Sequence, residues 1–359
     1  MPDQKQDKED RRTGAGIEMR HYSIWLSKYS DIQKGILEEL QSYRREIENA
    51  VKSIPSGELI KPLDRSGRTD CKSMCFVDGG EGITELLGAG MYFIRASGLL
   101  LEDTKERKKE TFVRDLDMNI IDYDDHTKER VELLRDCMEF DVALRCIEEH
   151  KPEYLFLDGS LYVKARKKPI KCIEDSIYRK KFVRLLKACD KNNTNVVGVS
   201  EDSRSKLLSN YLSTKYNIKL PKFMTDSSIL RLLTGNKSFR TIEFTPHSKF
   251  EADAEITERI VTSFPTVYIQ VSEYANPLRV DIADWNKPME EAISLIVELS
   301  KGSRYYGYPI PLYLVHMDAK INPRHAEWAA NQLSSHIRKN DPRLYDSVLR
   351  KNRRGLRPQ

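Results

Sequence analysis

A chain of 359 residues, 39% apolar and 32% charged, is long enough for one large α/β domain with appendages or for two domains, with a sizeable core. No apolar run approaches the ~20 residues that a membrane span needs, and the N-terminus is charged rather than signal-like, so the expectation is a soluble, cytoplasmic protein with no membrane partner. The net charge of +5 permits a nucleic-acid partner without requiring one, and six cysteines lacking any CxxC pair or zinc-ligand spacing point to free thiols in a reducing compartment.

Residues 1–16 (MPDQKQDKEDRRTGAG) are polar with little to bury and are expected to be disordered. Residues 17–69 read as an N-terminal helical extension and a connector. Between Ile17 and Ile54, residues such as Ile24, Ile32, Ile36, Leu40 and Ile47 recur at helical spacing amid Lys, Glu and Arg. Such a helix either packs on the main domain or dimerises. The main domain is placed at 70–325, followed at 326–359 by a C-terminal helix and a basic tail.

The core begins at Ser73 with a strand ending in Asp78. Residues 88–102 and 111–122 read as two more strands, rich in β-branched and aromatic residues, joined by a charged hairpin loop over Glu102–Glu110. Three sequential strands of this kind should be antiparallel. The period then changes: Leu133, Cys137, Phe140, Leu144 and Ile147 fall at steps of four and three, giving a long amphipathic helix over His126–His150 that Pro152 ends. The next strand carries Asp158; residues 174–190 are a helix, Asn195–Ser200 a buried strand, and a helix follows from about Ser203. Beyond it, Thr241–Thr245, Thr266–Ser272, Leu278–Ile282 and Pro311–His316 read as strands, and Pro288–Ser300 and Arg324–Arg338 as helices. The tail from Asp341 is Arg/Lys-rich, without a strong apolar stripe, and is expected to be flexible. This order of elements predicts an α/β fold, a mixed sheet flanked by helices.

Chemistry concentrates in one phrase that occurs twice. Cys75-Phe76-Val77-Asp78-Gly79-Gly80 is an apolar run that ends in a carboxylate with two glycines behind it, and Leu155-Phe156-Leu157-Asp158-Gly159-Ser160 repeats the pattern. A strand-end Asp before Gly is, taken singly, most often a turn former. Two of them on matched apolar strands are hard to explain as packing, because an unpaired buried carboxylate is costly, and they look like two halves of one metal site. Phosphodiester hydrolysis assisted by two cations needs three or four carboxylates converging on hard ions ~3.5–4 Å apart, and oxygen ligands suit Mn²⁺ or Mg²⁺ rather than zinc. The third carboxylate should come from the intervening helix. Glu139 sits at the edge of its apolar stripe, with Glu132 two turns earlier in reserve.

Asp, Glu, Asp after a three-stranded meander is the ribonuclease-H-like arrangement, which usually takes a fourth carboxylate from later in the chain. Asp202 and Asp226 are the options, although Asp226 also fits a helix N-cap. His316 reads equally as a core or surface histidine and as a group that binds the scissile phosphate or transfers a proton. In Lys301-Gly302-Ser303-Arg304-Tyr305-Tyr306-Gly307-Tyr308, Tyr305 can stack on an unpaired base and Arg304 can pair with phosphate; the same stretch also fits a protein-interaction loop.

With FVDGG at 76–80, GAGMYFIRASGL behind it, LFLDGSLY at 155–162, VVGVSEDSRS at 196–205 and PIPLYLVHMDAKI at 309–321, the chain resembles the archaeal NurA nuclease family. The resemblance implies a ribonuclease-H-like core and a homodimer with a central DNA channel. It also implies Mn²⁺-dependent 5′-to-3′ exonuclease action on single- and double-stranded DNA, with endonuclease action on single strands. A further implication is assembly with the hexameric HerA ATPase in resection of double-strand breaks. It maps metal-binding aspartates onto Asp78 and Asp158, the helix glutamate onto Glu139 and a late histidine onto His316. It also implies a lysine after the VVGVS strand, where this chain has Glu201-Asp202, with Lys206 further on as the nearest basic candidate for DNA contact. The rival readings are an actin-like-fold ATPase, which lacks support because no second glycine-rich phosphate loop occurs, and a non-catalytic DNA-binding or scaffold subunit, whose mark would be a spoiled carboxylate pair.

Overall fold

The computed structural model describes the chain apart from residues 1–2, 65–69, 104–107, 162–163, 165–171, 202–203, 222, 236, 247–263, 284–287, 303–306 and 350–359. It divides into two compact units: Met1–Pro55 with Leu212–Met224, and Ser56–Tyr211 with Thr225–Gln359. The first is built on one long helix, α1 (Asp3–Lys52). The helix begins inside the stretch expected to be disordered, so that expectation is corrected. Lys, Glu, Gln and Arg are good helix formers and extend the helix without needing a buried face. Further along, Tyr43 sets its ring against Phe223 at 4.6 Å, and Leu26, Ile32, Ile36, Leu37 and Leu40 are exposed.

The second unit opens with a helical turn, α2 (Ser56–Leu59), and a two-residue strand, β1 (Ile60–Lys61), inside the stretch read as a connector. The meander follows as predicted: β2 (Ser73–Glu85), β3 (Ala89–Asp103) and β4 (Lys108–Asp122), antiparallel throughout. Next come α3 (Thr127–His150), β5 (Tyr154–Asp158), α4 (Ile173–Lys191) and β6 (Asn195–Ser200). Two helices, α5 (Leu207–Tyr216) and α6 (Asp226–Thr234), lead to β7 (Phe239–Thr241), β8 (Thr266–Gln270) and β9 (Leu278–Ile282). The strand read at Thr241–Thr245 is thus displaced, its second half represented by a single bridge from Phe244 to Thr266.

The last elements are α7 (Met289–Ser300), α8 (Ile310–Ala319) and α9 (Pro323–Asn340). Helix α8 replaces the short strand expected at Pro311–His316. A run of Pro, Leu, Tyr and Val fits either period, but Pro311 lies in the first helical turn, where its missing N–H costs nothing. Leu312, Val315 and Ala319 are buried along one face of the helix. The tail read as flexible from Asp341 contains a helical turn at Pro342–Leu344 and a wider turn at Tyr345–Leu349. Helix α9 packs Ala326 and Ala330 on Leu86, Met91 and Phe93, so it is a layer of the main unit.

Among the described residues the strands form one sheet in the order β1-β7-β8-β9-β6-β5-β2-β3-β4, parallel only across β2, β5 and β6. Alternate residues of a strand face opposite sides. Cys75, Val77, Leu155 and Leu157 pack under α3 and α4, whereas Phe76, Tyr154 and Phe156 pack under α7 and α8. The sheet is a mixed, ribonuclease-H-like one covered on both faces, as the order of elements predicted.

Candidate active site

β2 and β5 run parallel with Val77 opposite Leu157, so Asp78 and Asp158 are the next residues on adjacent strands. Both share the parity of Phe76 and Phe156, and both therefore emerge on the side covered by α8. That helix packs against β2, β3 and β5 and brings His316 Nδ1 to 2.8 Å from Asp78 Oδ2. One ligand atom from each of Asp78, Asp158 and His316 falls within 4.8 Å of the others.

The glycines behind Asp78 make this approach physically allowed. A Cβ at Gly80 would lie 2.2 Å from the Ala319 carbonyl oxygen at the end of α8. At Gly79, on the opposite face, it would lie 2.7 Å from Glu139 Oε1 of α3. Neither residue has positive φ; the pair is there for close approach by one helix from each side.

Each carboxylate has a protein donor. Asp78 Oδ1 accepts from its neighbour Gly79 N–H at 2.7 Å, and Asp158 Oδ1 accepts from the Tyr308 hydroxyl at 2.5 Å. Glu139 Oε2 accepts from Lys164 Nζ at 2.7 Å, and Arg135 Nε stands 3.4 Å from its Oε1. Burial, followed by the facing Asp78 charge, pushes the Asp158 carboxyl up. Burial raises Glu139 to about 7 against the pull of Lys164 and Arg135. The hydrogen bond to Asp78 raises His316 above the ordinary imidazole value, and burial, with Asp158 beside it, raises Tyr308. One buried and one half-buried carboxylate facing each other, plus one imidazole and no thiolate, are a donor set that fits a hard divalent cation such as Mn²⁺ or Mg²⁺.

Glu139 is 2% exposed and faces the sheet, as expected from its stripe, but it approaches from the α3 side behind Gly79 and is not one of the three groups that meet. Glu132 is only half-buried; its charge bears on Glu81, and it too lies outside the trio. Asp226 is not one of the three groups that meet, and as a cap it is shifted. Its own helix, α6, is capped by Thr225. The Asp226 carboxylate instead accepts from Leu208 N–H at 3.1 Å and Ser209 N–H at 2.8 Å, closing the first turn of α5, and from the Tyr268 hydroxyl at 2.7 Å. Asp226→Ala leaves these buried donors unmet, an expected loss of about 1–3 kcal/mol in denaturant unfolding, with divalent-cation affinity unchanged. A loss of cation affinity at unaltered stability would return Asp226 to the metal site.

Asp202, Arg304 and Tyr305 lie outside the described residues. Beside the cluster is a cleft of about 690 Å³ bordered by Asp158, Tyr308, His316, Arg204, Lys206 and Asn210. Lys206 is exposed on its wall and is not one of the three groups that meet. Sequence reasoning missed Tyr308 as a partner of Asp158, having placed it in a stacking or interaction loop, and missed Lys164 entirely. The only available signal for Tyr308 was its position just ahead of α8; Lys164 carried none.

The family model described as the NurA domain matches residues 72–321, a span that contains every residue of the cluster. The chain belongs to the NurA family. A curated relative from Sulfurisphaera tokodaii, named DNA double-strand break repair nuclease NurA, is 25% identical over 353 residues, covering 88% of this chain and 99% of its own length. The solved NurA nuclease of Sulfolobus solfataricus superposes with a TM-score of 0.64 at 20% identity, covering 85% of this chain and 96% of that one. A solved NurA bound to dAMP and manganese gives a TM-score of 0.51 at 14% identity, with 83% and 94% covered. These structural likenesses establish the NurA fold for the chain.

Proposed function

We propose that this NurA-family chain is a metal-dependent deoxyribonuclease whose reaction takes place at Asp78, Asp158 and His316. The observation that carries this reading is the convergence of those three groups at the ends of adjacent parallel strands, in a chain whose relatives are named DNA repair nucleases. Asp78 and Asp158 hold the cation, with Mn²⁺ favoured because a solved NurA of similar fold is bound to dAMP and manganese. Glu139 completes the ligand set from the α3 side. When bound, the cation supplies Lewis acidity and positive charge for phosphodiester hydrolysis. Tyr308 fixes the Asp158 carboxylate through its hydroxyl. His316, exposed toward the cleft, orients Asp78 and stands where it can hold a phosphate oxygen or pass a proton. Lys206 contributes a phosphate contact from the cleft wall.

The finer reading is 5′-to-3′ exonuclease action on single- and double-stranded DNA, with endonuclease action on single strands, in resection of double-strand breaks. The protein works in the cytoplasm as a homodimer with a hexameric HerA-type ATPase. Six free cysteines agree with a reducing compartment, and no helix among the described residues is long and apolar enough to cross a membrane. The exposed Leu and Ile side chains of α1 offer a surface for a second copy or for the ATPase. DNA labelled separately at its 5′ and 3′ ends, incubated with Mn²⁺, Mg²⁺ or EDTA and with the ATPase present or absent, tests this reading. Release of label from the 5′ end in Mn²⁺ alone supports it; metal-independent release or none under any condition sinks it.

The pKa of His316 sets a pH dependence. In the metal-free protein the His316–Asp78 ion pair is intact below the ordinary histidine value of about 6.5 and is lost as the pH rises through the raised folded value. The His316 side chain is 52% exposed, so the effect on stability is small. The same proton competes with the cation. Apparent Mn²⁺ affinity is therefore expected to rise with pH across that window, and His316→Asn to flatten the rise. An equal slope in the variant would show that the proton on His316 does not compete with the cation.

A further inference from the structure

We infer that Lys164 is a resident counter-cation of the metal site, so that cation binding is an exchange in which Lys164 releases Glu139 and transfers to Asp136. This rests on the metal-nuclease reading above and extends it to a residue that the reading leaves without a role.

Lys164 is 8% exposed, and its Nζ lies 2.7 Å from Glu139 Oε2 and 3.7 Å from Asp136 Oδ1. Its backbone carbonyl accepts from the buried Tyr178 hydroxyl at 2.7 Å, and its ammonium sits 5.5 Å from the Phe140 ring centroid. Asp136 and Glu139 are themselves 3% and 2% exposed. Arg135 braces the group, reaching Asp136 at 2.7 Å and Glu139 at 3.4 Å.

A buried ion pair is in general weak evidence for stability, because desolvation offsets much of its attraction. This pair also stands in a telling place. Glu139 lies directly against Gly79, one residue from Asp78. Glu139 Oε1 faces Gly79, while Oε2 is held by the ammonium. Were Glu139 to turn its charge toward a divalent cation at Asp78 and Asp158, the ammonium on its other oxygen would face a second positive charge, and it could leave without stranding a buried charge only if it had somewhere else to go. Asp136, one helical turn before Glu139 on the same face of α3 and already within 3.7 Å of Nζ, is that place. Lys164 is thus a positioning residue. It compensates the carboxylates when no cation is bound and sets the free cation concentration at which the third ligand joins.

The test is calorimetric titration of the full chain with Mn²⁺ alone, without DNA. Lys164→Met is expected to bind Mn²⁺ about tenfold more tightly than wild type, since a charge-assisted hydrogen bond no longer competes. In the Glu139→Gln background the same substitution is expected to change affinity by less than about twofold, because the coupling runs through Glu139; a general effect of removing a positive charge would persist there. Asp136→Asn is expected to weaken binding by several-fold, since Lys164 then has no second carboxylate, and this arm decides if Lys164→Met loses its cooperative thermal transition. Unchanged or weaker binding in Lys164→Met, persistence of its effect without Glu139, or unchanged or tighter binding in Asp136→Asn would each overturn the exchange. Failure of the wild-type chain to bind Mn²⁺ at all would overturn the nuclease reading along with it, a result distinguishable from the other three.

Discussion

Asp78→Asn is expected to abolish metal-dependent cleavage of DNA while leaving the fold intact. The amide is nearly isosteric with the carboxylate, and its oxygen can still accept from Gly79 N–H. What it loses is the charge that, with Asp158, is proposed to hold the cation. A catalytic metal ion contributes several kcal/mol of transition-state stabilisation, and each 1.36 kcal/mol is tenfold in rate, so the expected loss is on the order of 10³-fold or more. Stability should not fall in parallel: Asp78 is 4% exposed beside a second carboxylate, and removing one of two like charges relieves repulsion in the metal-free protein. End-labelled DNA cleavage and thermal unfolding, wild type beside variant, measure the two effects separately. A variant that cuts within threefold of wild type would mean that the reaction takes place elsewhere.

The second large effect is expected at a residue with no side chain. Gly80→Ala places a methyl group 2.2 Å from the Ala319 carbonyl oxygen, and backbone cannot swing aside as a side-chain tip can. Helix α8 must move off the sheet, and it is tethered against that movement. Asp318 accepts from Ser97 at 2.6 Å, Arg114 at 2.7 Å and Arg95 at 3.1 Å, and these contacts hold its carboxyl below the usual range despite partial burial. Overpacking of this kind costs about 1–3 kcal/mol. The functional cost is expected to be larger, because α8 carries His316 and a misplacement of about 1 Å can cost about 100-fold in rate. Gly82→Ala is the control: its Cβ would meet the Ile321 Cγ2 methyl at 3.2 Å, and a small shift of that side chain suffices. Wild-type cleavage by Gly80→Ala would show that α8 does not set the geometry of the site.

How far the sequence could be read follows from how local each feature is. β2 and β5 were legible because an apolar run closed by Asp-Gly occurs twice over, whereas their pairing as parallel neighbours is seen only in the finished sheet. The inward aspect of Glu139 followed from the spacing of its stripe. The period of Pro311–His316 was not legible, because five apolar residues ahead of a histidine fit strand and helix alike; only the sheet beneath, burying Leu312, Val315 and Ala319, selects the helix. The role of Asp226 was half legible. Its neighbours suggested a cap, but the helix it closes lies earlier in the chain, and a bond between residues 17 and 18 positions apart leaves no local pattern. Lys164 and Tyr308 were beyond reach for the same reason in stronger form. Lys164 meets Glu139 across 25 positions and Tyr308 meets Asp158 across 150, so both partnerships are products of the finished fold.

The central claim is that Asp78 and Asp158 hold the cation on which the reaction depends. Crystals of the wild-type chain grown with Mn²⁺ and measured at the manganese absorption edge test it most directly. The expected result is an anomalous peak within bonding distance of an Asp78 oxygen and an Asp158 oxygen, absent from Asp78→Asn crystals grown alike. A map whose only manganese peaks lie away from those two residues, from crystals in which the chain cuts DNA, would contradict it.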